Sequence, residues 1–246
     1  DIAEMERPIQ KENTIVGSSV AYSPDGRHIA SGADDRIVRI WNLKGEVCHV
    51  LKGHTGWVRS VNYSLSGKFL VSCADDRTVR IWNLESLKSQ SLEGHTDVVN
   101  SAVYSPDGWY LASGSNDKTV RIWNVPSDDY HILKGHTNKV FSIVYSPDGE
   151  YLASSSSDRT VRIFDLKSGE HHVLKGHSDT VNSAVYSPDG DYLASGSDDR
   201  TVRIWELKSG ICCILYDHKC RVNSIVYSPD ARFLACGADD KMVRIW

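Results

Sequence analysis

The tetrapeptide Val-Arg-Ile-Trp ends at Trp41, Trp82, Trp123, Trp205 and Trp246, and Val-Arg-Ile-Phe ends at Phe164. Every consecutive step is 41 residues, and six units of that length account for all 246 positions. A fixed period of this size constrains the fold more than composition does. Each unit is one supersecondary element that cannot bury its apolar face alone, so the units must stack. The third unit shows the parts. Ser101 to Tyr104 is short and β-prone, and Ser105-Pro106-Asp107-Gly108 follows with Pro second and Gly fourth, as a type I turn favours. Tyr110 to Ser113 reads as the next strand, and Asn116-Asp117-Lys118 as a polar turn. Val120 to Trp123 alternates apolar and polar like a half-buried strand, and a weaker strand lies near His131 to Leu133. Four short strands in about 40 residues predict one propeller blade per unit, and no helical period competes.

Composition narrows the function classes. Lys and Arg number 28 against 32 Asp and Glu, a net charge of −4, so a general nucleic-acid surface is not expected. No apolar run approaches the roughly 20 residues of a membrane helix. Asp1 to Gln10 is charged and lacks the apolar stretch of a secretory signal. The chain also lacks an initiator Met, which suggests a trimmed protein or a piece of a longer multidomain one. Cys48, Cys73, Cys212, Cys213, Cys220 and Cys236 show no CxxC pair, so they read as packing thiols of a reducing compartment. A cytoplasmic location is expected, with a nuclear one also open. His171-His172 and Cys212-Cys213 read as surface or packing residues and not as metal ligands. No cofactor or metal site is implied.

A Gly-His dipeptide opens most units, and the His recurs as His54, His95, His136, His177 and His218. Asp occupies the second turn in all six units, as Asp35, Asp76, Asp117, Asp158, Asp199 and Asp240. With the terminal Trp, these residues resemble the WD40-repeat family over the whole chain. The resemblance implies an all-β propeller of six four-stranded blades, spanning 1–246 as units 1–41, 42–82, 83–123, 124–164, 165–205 and 206–246. It also implies a buried hydrogen-bonded tetrad in each regular blade: His54, Ser72, Asp76 and Trp82; His95, Ser113, Asp117 and Trp123; His177, Ser195, Asp199 and Trp205. Unit one carries Asn13 for the His, unit four Phe164 for the Trp, and unit six Cys236 for the Ser, so those blades are expected to be less firmly locked. Residues around Met5 to Gln10 have the register of an outer strand that would complete the last blade and close a six-blade ring. An incomplete seven-blade ring is the alternative.

Members of that family commonly receive peptides at the channel mouth on the face carrying the His loop and the Asp turn, here called the top face. Three positions per blade are implied there. The first set is Val16, Trp57, Val98, Lys139, Thr180 and Arg221; the second is Ser18, Arg59, Asn100, Phe141, Asn182 and Asn223; the third is Asp34, Asp75, Asn116, Ser157, Asp198 and Asp239. Trp57 and Phe141 are aromatic anchors, and the aspartates suggest an electronegative rim for a basic side chain. The asparagines suit hydrogen bonding to a peptide backbone. The third-strand row Arg39, Arg80, Arg121, Arg162, Arg203 and Arg244 points to solvated or stacked structural roles. The reading is a non-catalytic scaffold for a peptide or protein partner. A His, Ser and Asp in one blade could suggest a catalytic triad, but their recurrence in several blades suits scaffolding. A propeller that binds a small ligand or acts as an enzyme is one alternative. An engineered, minimised propeller is another; the even spacing allows it and the irregular blades oppose it.

Overall fold

The computed structural model describes residues 17–127, 129–216 and 218–246. In the first blade an inner strand, Gly17–Tyr22, pairs with a second, His28–Ala33, then a third, Ile37–Asn42, then an outer strand, Val47–Lys52, all antiparallel in chain order. The next four sheets repeat this order, and the last comprises Val222–Tyr227, Leu234–Ala238 and Val243–Ile245 among the described residues. The expected all-β architecture of six blades is therefore present. The proposed closing strand at Met5 to Gln10, with Asn13 and Val16, lies outside the described residues.

Turn chemistry sets the hairpins. In the Ser-Pro-Asp-Gly loop the Gly108 N–H donates to the Ser105 carbonyl at 2.9 Å, and Gly108 takes φ +77°. A left-handed residue after a type I turn matches the twist of the flanking strands. The turn after the tetrad Asp uses the same geometry without glycine: Arg36, Arg77, Lys118, Arg159, Arg200 and Lys241 all have φ between 63° and 72°.

The inner strand carries an irregularity in each blade. Between Val99 and Ser101 the ladder shifts, so Asn100 has no rung of its own. The same slip leaves out Ser18, Arg59, Phe141, Asn182 and Asn223. These are β-bulges, which bend a strand and re-aim one side chain. The expected start at Ser101 falls on the bulge, and the strand itself begins at Val99.

The core lies between blades. Trp82 packs among Ala30, Val38, Ile40 and Leu51 of the preceding blade, and Trp123 and Phe164 repeat this one and two blades later, each 2% exposed. Size matching governs the junctions. A Cβ on Gly114 would fall 2.7 Å from Val140 Cγ1 and 3.1 Å from Ile143 Cγ2, so only glycine admits that close approach. Gly32 faces Val58 and Val61, and Gly196 faces Val222 and Ile225, in the same way. Where the next blade carries Ala102 or Ala184 in place of Val or Ile, the glycine is replaced by the fully buried Cys73 or Ser155.

Candidate functional site

The loop before each inner strand brings a His beside the turn Asp. His54 Nδ1 lies 2.8 Å from Asp76 Oδ2, and His54 Nε2 lies 2.8 Å from Ser72 Oγ. The Trp82 indole donates to that same Ser72 oxygen at 2.8 Å. Proton counting fixes the direction of the chain: Trp donates to Ser, the Ser hydroxyl to Nε2, and Nδ1–H to the carboxylate. The set His95, Ser113, Asp117 and Trp123 repeats these contacts, as does His177, Ser195, Asp199 and Trp205. Burial alone would raise the Asp76 carboxyl pKa, but hydrogen bonds from His54, Thr78 and the Thr55 N–H outweigh it and hold it far below the usual range. Asp117, Asp158 and Asp199 behave alike. For His95, burial dominates and pushes the imidazole pKa down, against the pull of Asp117.

The connectivity is that of a serine-hydrolase triad, but the chemistry is not available. Ser72, Ser113 and Ser195 are 0% exposed and already accept an indole N–H, so no carbonyl can reach them. The same arrangement recurs across several blades, as a lock does and an active site does not.

The irregular blades differ in kind. Blade four keeps His136 at 2.7 Å from both Asp158 and Ser154, with Phe164 filling the indole's place. In blade six His218 and Asp240 are 3.9 Å apart, and Arg244 reaches both, at 3.0 and 2.8 Å. Arg39 likewise turns to Asp35 at 2.6 Å. Elsewhere in this row Arg121 and Arg203 stack on Trp123 and Trp205. A uniform stacked or solvated row is therefore corrected at Arg39 and Arg244, where a third-strand guanidinium pairs with the tetrad carboxylate.

The three implied sets meet in blades two to six. The Asp75 N–H donates to the Trp57 carbonyl at 2.9 Å, and Asn116 to Val98, Ser157 to Lys139, Asp198 to Thr180 and Asp239 to Arg221 do the same at 2.8–3.1 Å. The bulge places the second-set side chain beside them. Trp57 is 51% exposed and lies under the Arg59 guanidinium, 5.4 Å from its ring centre. Arg59 grips Asp75 with two bonds, at 2.5 and 2.8 Å. Arg221 and Asn223 both donate to Asp239. Asn100 donates to Asn116 at 2.8 Å and across to the Val140 carbonyl at 2.7 Å, and Asn182 repeats this with Asp198 and Val222. The amide donors of Asn100 and Asn182 thus clip neighbouring blades together. Asp34 and Phe141 are half-buried, while Lys139 and Arg221 are exposed. These side-chain links join residues 16 to 40 positions apart, and no local signal announces them.

On the opposite face Leu65, Pro106, Pro147 and Pro188 surround an apolar depression of about 430 Å³ with Val103, Val144 and Val185. Larger grooves, about 680 and 630 Å³, repeat between adjacent blades at Tyr186 and Tyr145, so they belong to blade geometry. Among the described residues no cluster of three or more metal-ligating side chains occurs, and no helix is long and apolar enough to cross a membrane.

The WD domain, G-beta repeat family model matches residues 10–42, 45–83, 86–124, 128–165, 169–206 and 210–246. Curated relatives match over shorter stretches. The chain is 42% identical over 43 residues to the probable serine/threonine-protein kinase PkwA of Thermomonospora curvata, covering 17% of this chain and 6% of that protein. It is 35% identical over 60 residues to the general transcriptional corepressor TUP1 of Saccharomyces cerevisiae, covering 21% and 8%. It is 46% identical over 43 residues to the ribosome biogenesis protein YTM1 of Candida glabrata, covering 18% and 9%. Each match thus spans less than a tenth of the relative's own length.

Proposed function

The chain belongs to the WD40 repeat family, and from that premise we propose that it is a non-catalytic interaction scaffold taking a peptide or protein segment on its top face. The observation that carries this reading is Trp57, a large aromatic 51% exposed and backed by the Arg59–Asp75 pair, at a position that the family resemblance assigns to the channel mouth. Trp and Arg are enriched among the few residues that carry most of the binding energy at protein interfaces. The printed names of the relatives, a corepressor, a ribosome biogenesis protein and a kinase, are compatible with such a module inside larger assemblies.

The partner segment lays an apolar or aromatic side chain on Trp57, with Phe141 across the mouth as a second contact. A basic side chain can join it at the aspartate rim, but Asp75 and Asp239 already hold Arg59 and Arg221, so an incoming Lys or Arg gains by exchange and not by meeting naked charge. The test is capture from lysate by the parent chain, Trp57→Ala and Phe141→Ala, with Leu65→Ala on the opposite face as control and thermal melts alongside. Loss of one defined partner with the top-face variants, and its retention with Leu65→Ala, supports the reading. Unchanged capture by Trp57→Ala refutes it.

A further inference from the structure

The grooves between adjacent blades share one shape, but their linings differ. In the groove between blades four and five, about 680 Å³, Asp148, Asp189, Asp191 and Glu206 stand against one ammonium, Lys208. The groove between blades one and two, about 540 Å³, is built from the matching positions and carries one of each, Asp25 and Lys68. There Ser66 stands where the other has Asp189, and Lys68 where it has Asp191. A tyrosine lines both grooves, Tyr63 in one and Tyr186 in the other. Tyr186 is 6% exposed, and its hydroxyl has no partner within the chain. Burial, with the Asp148 charge adding to it, pushes that phenol well above its ordinary pKa, so it stays protonated. Asp148 and Asp189 hold their own turns through Oδ1 alone, which accepts from the Ser146 and Ser187 hydroxyls and from the Glu150 and Asp191 N–H groups. Oδ2 of each takes no part in the turn. Lys208 bonds Asp191 at 2.8 Å, but that pair is exposed at the rim, where an ion pair is weak and readily exchanged. Ile163, Leu174 and Leu207 supply an apolar side.

We propose that the groove between blades four and five binds an organic cation, a primary ammonium carried on an apolar stem. The polar groups call for this class. An ammonium N–H donates to the Tyr186 oxygen while the phenol donates its own proton to Asp148, so the buried hydroxyl is satisfied in both its roles. The remaining N–H donors are left for Asp189 and Asp191, and the stem lies on Leu174 and Leu207. An anion would meet the four carboxylates, and a neutral apolar molecule would leave the hydroxyl unpaired. A bare metal ion is a poor occupant, because among the described residues no three ligating side chains gather closely enough to hold one. The volume, about 680 Å³, is that of a small-molecule pocket. Charge, not shape, sets this junction apart from the one between blades one and two.

The experiment titrates the isotope-labelled chain with phenethylammonium, its neutral counterpart phenethyl alcohol, and N-acetyl-lysine methylamide, read by amide NMR shifts. Gly190 reports the groove between blades four and five, and its counterpart Gly67 the one between blades one and two. Phenethylammonium should shift Gly190 saturably. Its binding at Gly67, and that of the alcohol at Gly190, should each be weaker by about tenfold or more, the difference that a hydrogen bond to a charged group carries. Tyr186→Phe should weaken the ammonium at Gly190 about tenfold, and Asp191→Lys should abolish its binding there. Ser66→Asp together with Lys68→Asp should confer binding at Gly67, which tests the charge argument even where a blade-five variant fails to fold. The tighter of phenethylammonium and the lysine derivative assigns the source of the cation, a free amine or a partner's side chain. Equal affinity for the alcohol overturns the choice of a cation, and equal binding at Gly190 and Gly67 overturns selection by charge. Full affinity in Tyr186→Phe overturns the role of the hydroxyl, and absence of saturation at Gly190 overturns the proposal outright.

Discussion

Blades three and four form a natural pair for measuring what the tetrad is worth. Ser113 and Ser154 are both 0% exposed and both bond a histidine, at 2.8 and 2.7 Å. They differ in one respect: Ser113 also accepts the Trp123 indole at 2.8 Å, whereas the corresponding ring in blade four is Phe164. Replacing either serine by alanine removes one oxygen and leaves little cavity. Ser113→Ala strands two buried polar groups, the indole N–H and His95 Nε2; Ser154→Ala strands only His136 Nε2. Each stranded group costs about 1–3 kcal/mol. Ser154→Ala should therefore lose about that much, and Ser113→Ala about twice it. For a chain of this length each kcal/mol corresponds to about 2–4 °C in Tm, so the two variants should melt several degrees apart. Repeat proteins can unfold in stages, so urea titrations should be paired with hydrogen exchange resolved by blade. Equal losses in the two blades would refute the claim that the indole is held by the serine. A larger loss in blade four would refute the proton-counting argument as a whole.

Further expectations follow from the same geometry. Because the folded pKa values of Asp76, Asp117, Asp158 and Asp199 are depressed, their contribution is complete above the unfolded carboxylate range and is lost as pH falls below about 4, towards the folded values. His95 adds an earlier, shallower decline: its lowered folded pKa means the unfolded chain takes up the proton first, so stability falls as pH drops below about 6.5. Urea midpoints from pH 8 to 3 should show both phases, and a flat profile between 7 and 5 would remove the His95 argument. At the left-handed turn position Arg77, φ 69°, glycine should be neutral or stabilising. Valine there should cost about 1–2 kcal/mol, and a Val variant as stable as the Gly one in thermal melts would contradict the backbone assignment. Gly114→Ala should weaken the junction between blades three and four by about 1–3 kcal/mol, read as faster hydrogen exchange at Val140–Tyr145; the double variant Gly114→Ala, Ile143→Ala should recover part of that loss.

Much of the architecture was legible because its determinants are local and repeated. The Ser-Pro-Asp-Gly turn, the alternation in Val-Arg-Ile-Trp and the tetrad residues each act within one unit, and six copies reinforce them. The bulge left only a faint mark: it sets the buried Val58 and Val61, like Val99 and Ala102, three residues apart where alternation gives two or four, and in so short a strand that spacing does not announce itself. The Arg59–Asp75 pair was not legible, as it depends on that bulge to bring the partners into reach; nor was the Arg221–Asp239 pair, whose residues lie 18 positions apart. The junction rule did leave a signal. Gly32 with Val61, Cys73 with Ala102 and Ser155 with Ala184 trade volume between adjacent units, but reading it requires knowing which positions face each other across blades. Arg244 entering the place of a regular His–Asp contact follows from the third dimension alone: the sequence shows the same Arg in every unit.

The bulge has a consequence for how such a molecule can diversify. A residue that occupies no rung of the ladder has little say in strand pairing, so its identity can change while the blade's own pairing stays fixed. The six bulged positions read Ser, Arg, Asn, Phe, Asn and Asn in units otherwise close to copies of one another. They act as a row of exchangeable letters on a uniform frame. Under the proposed function, rewriting Arg59 or Phe141 would alter what the surface selects, whereas rewriting Asn100 or Asn182, whose amides also clip adjacent blades, would touch the frame as well.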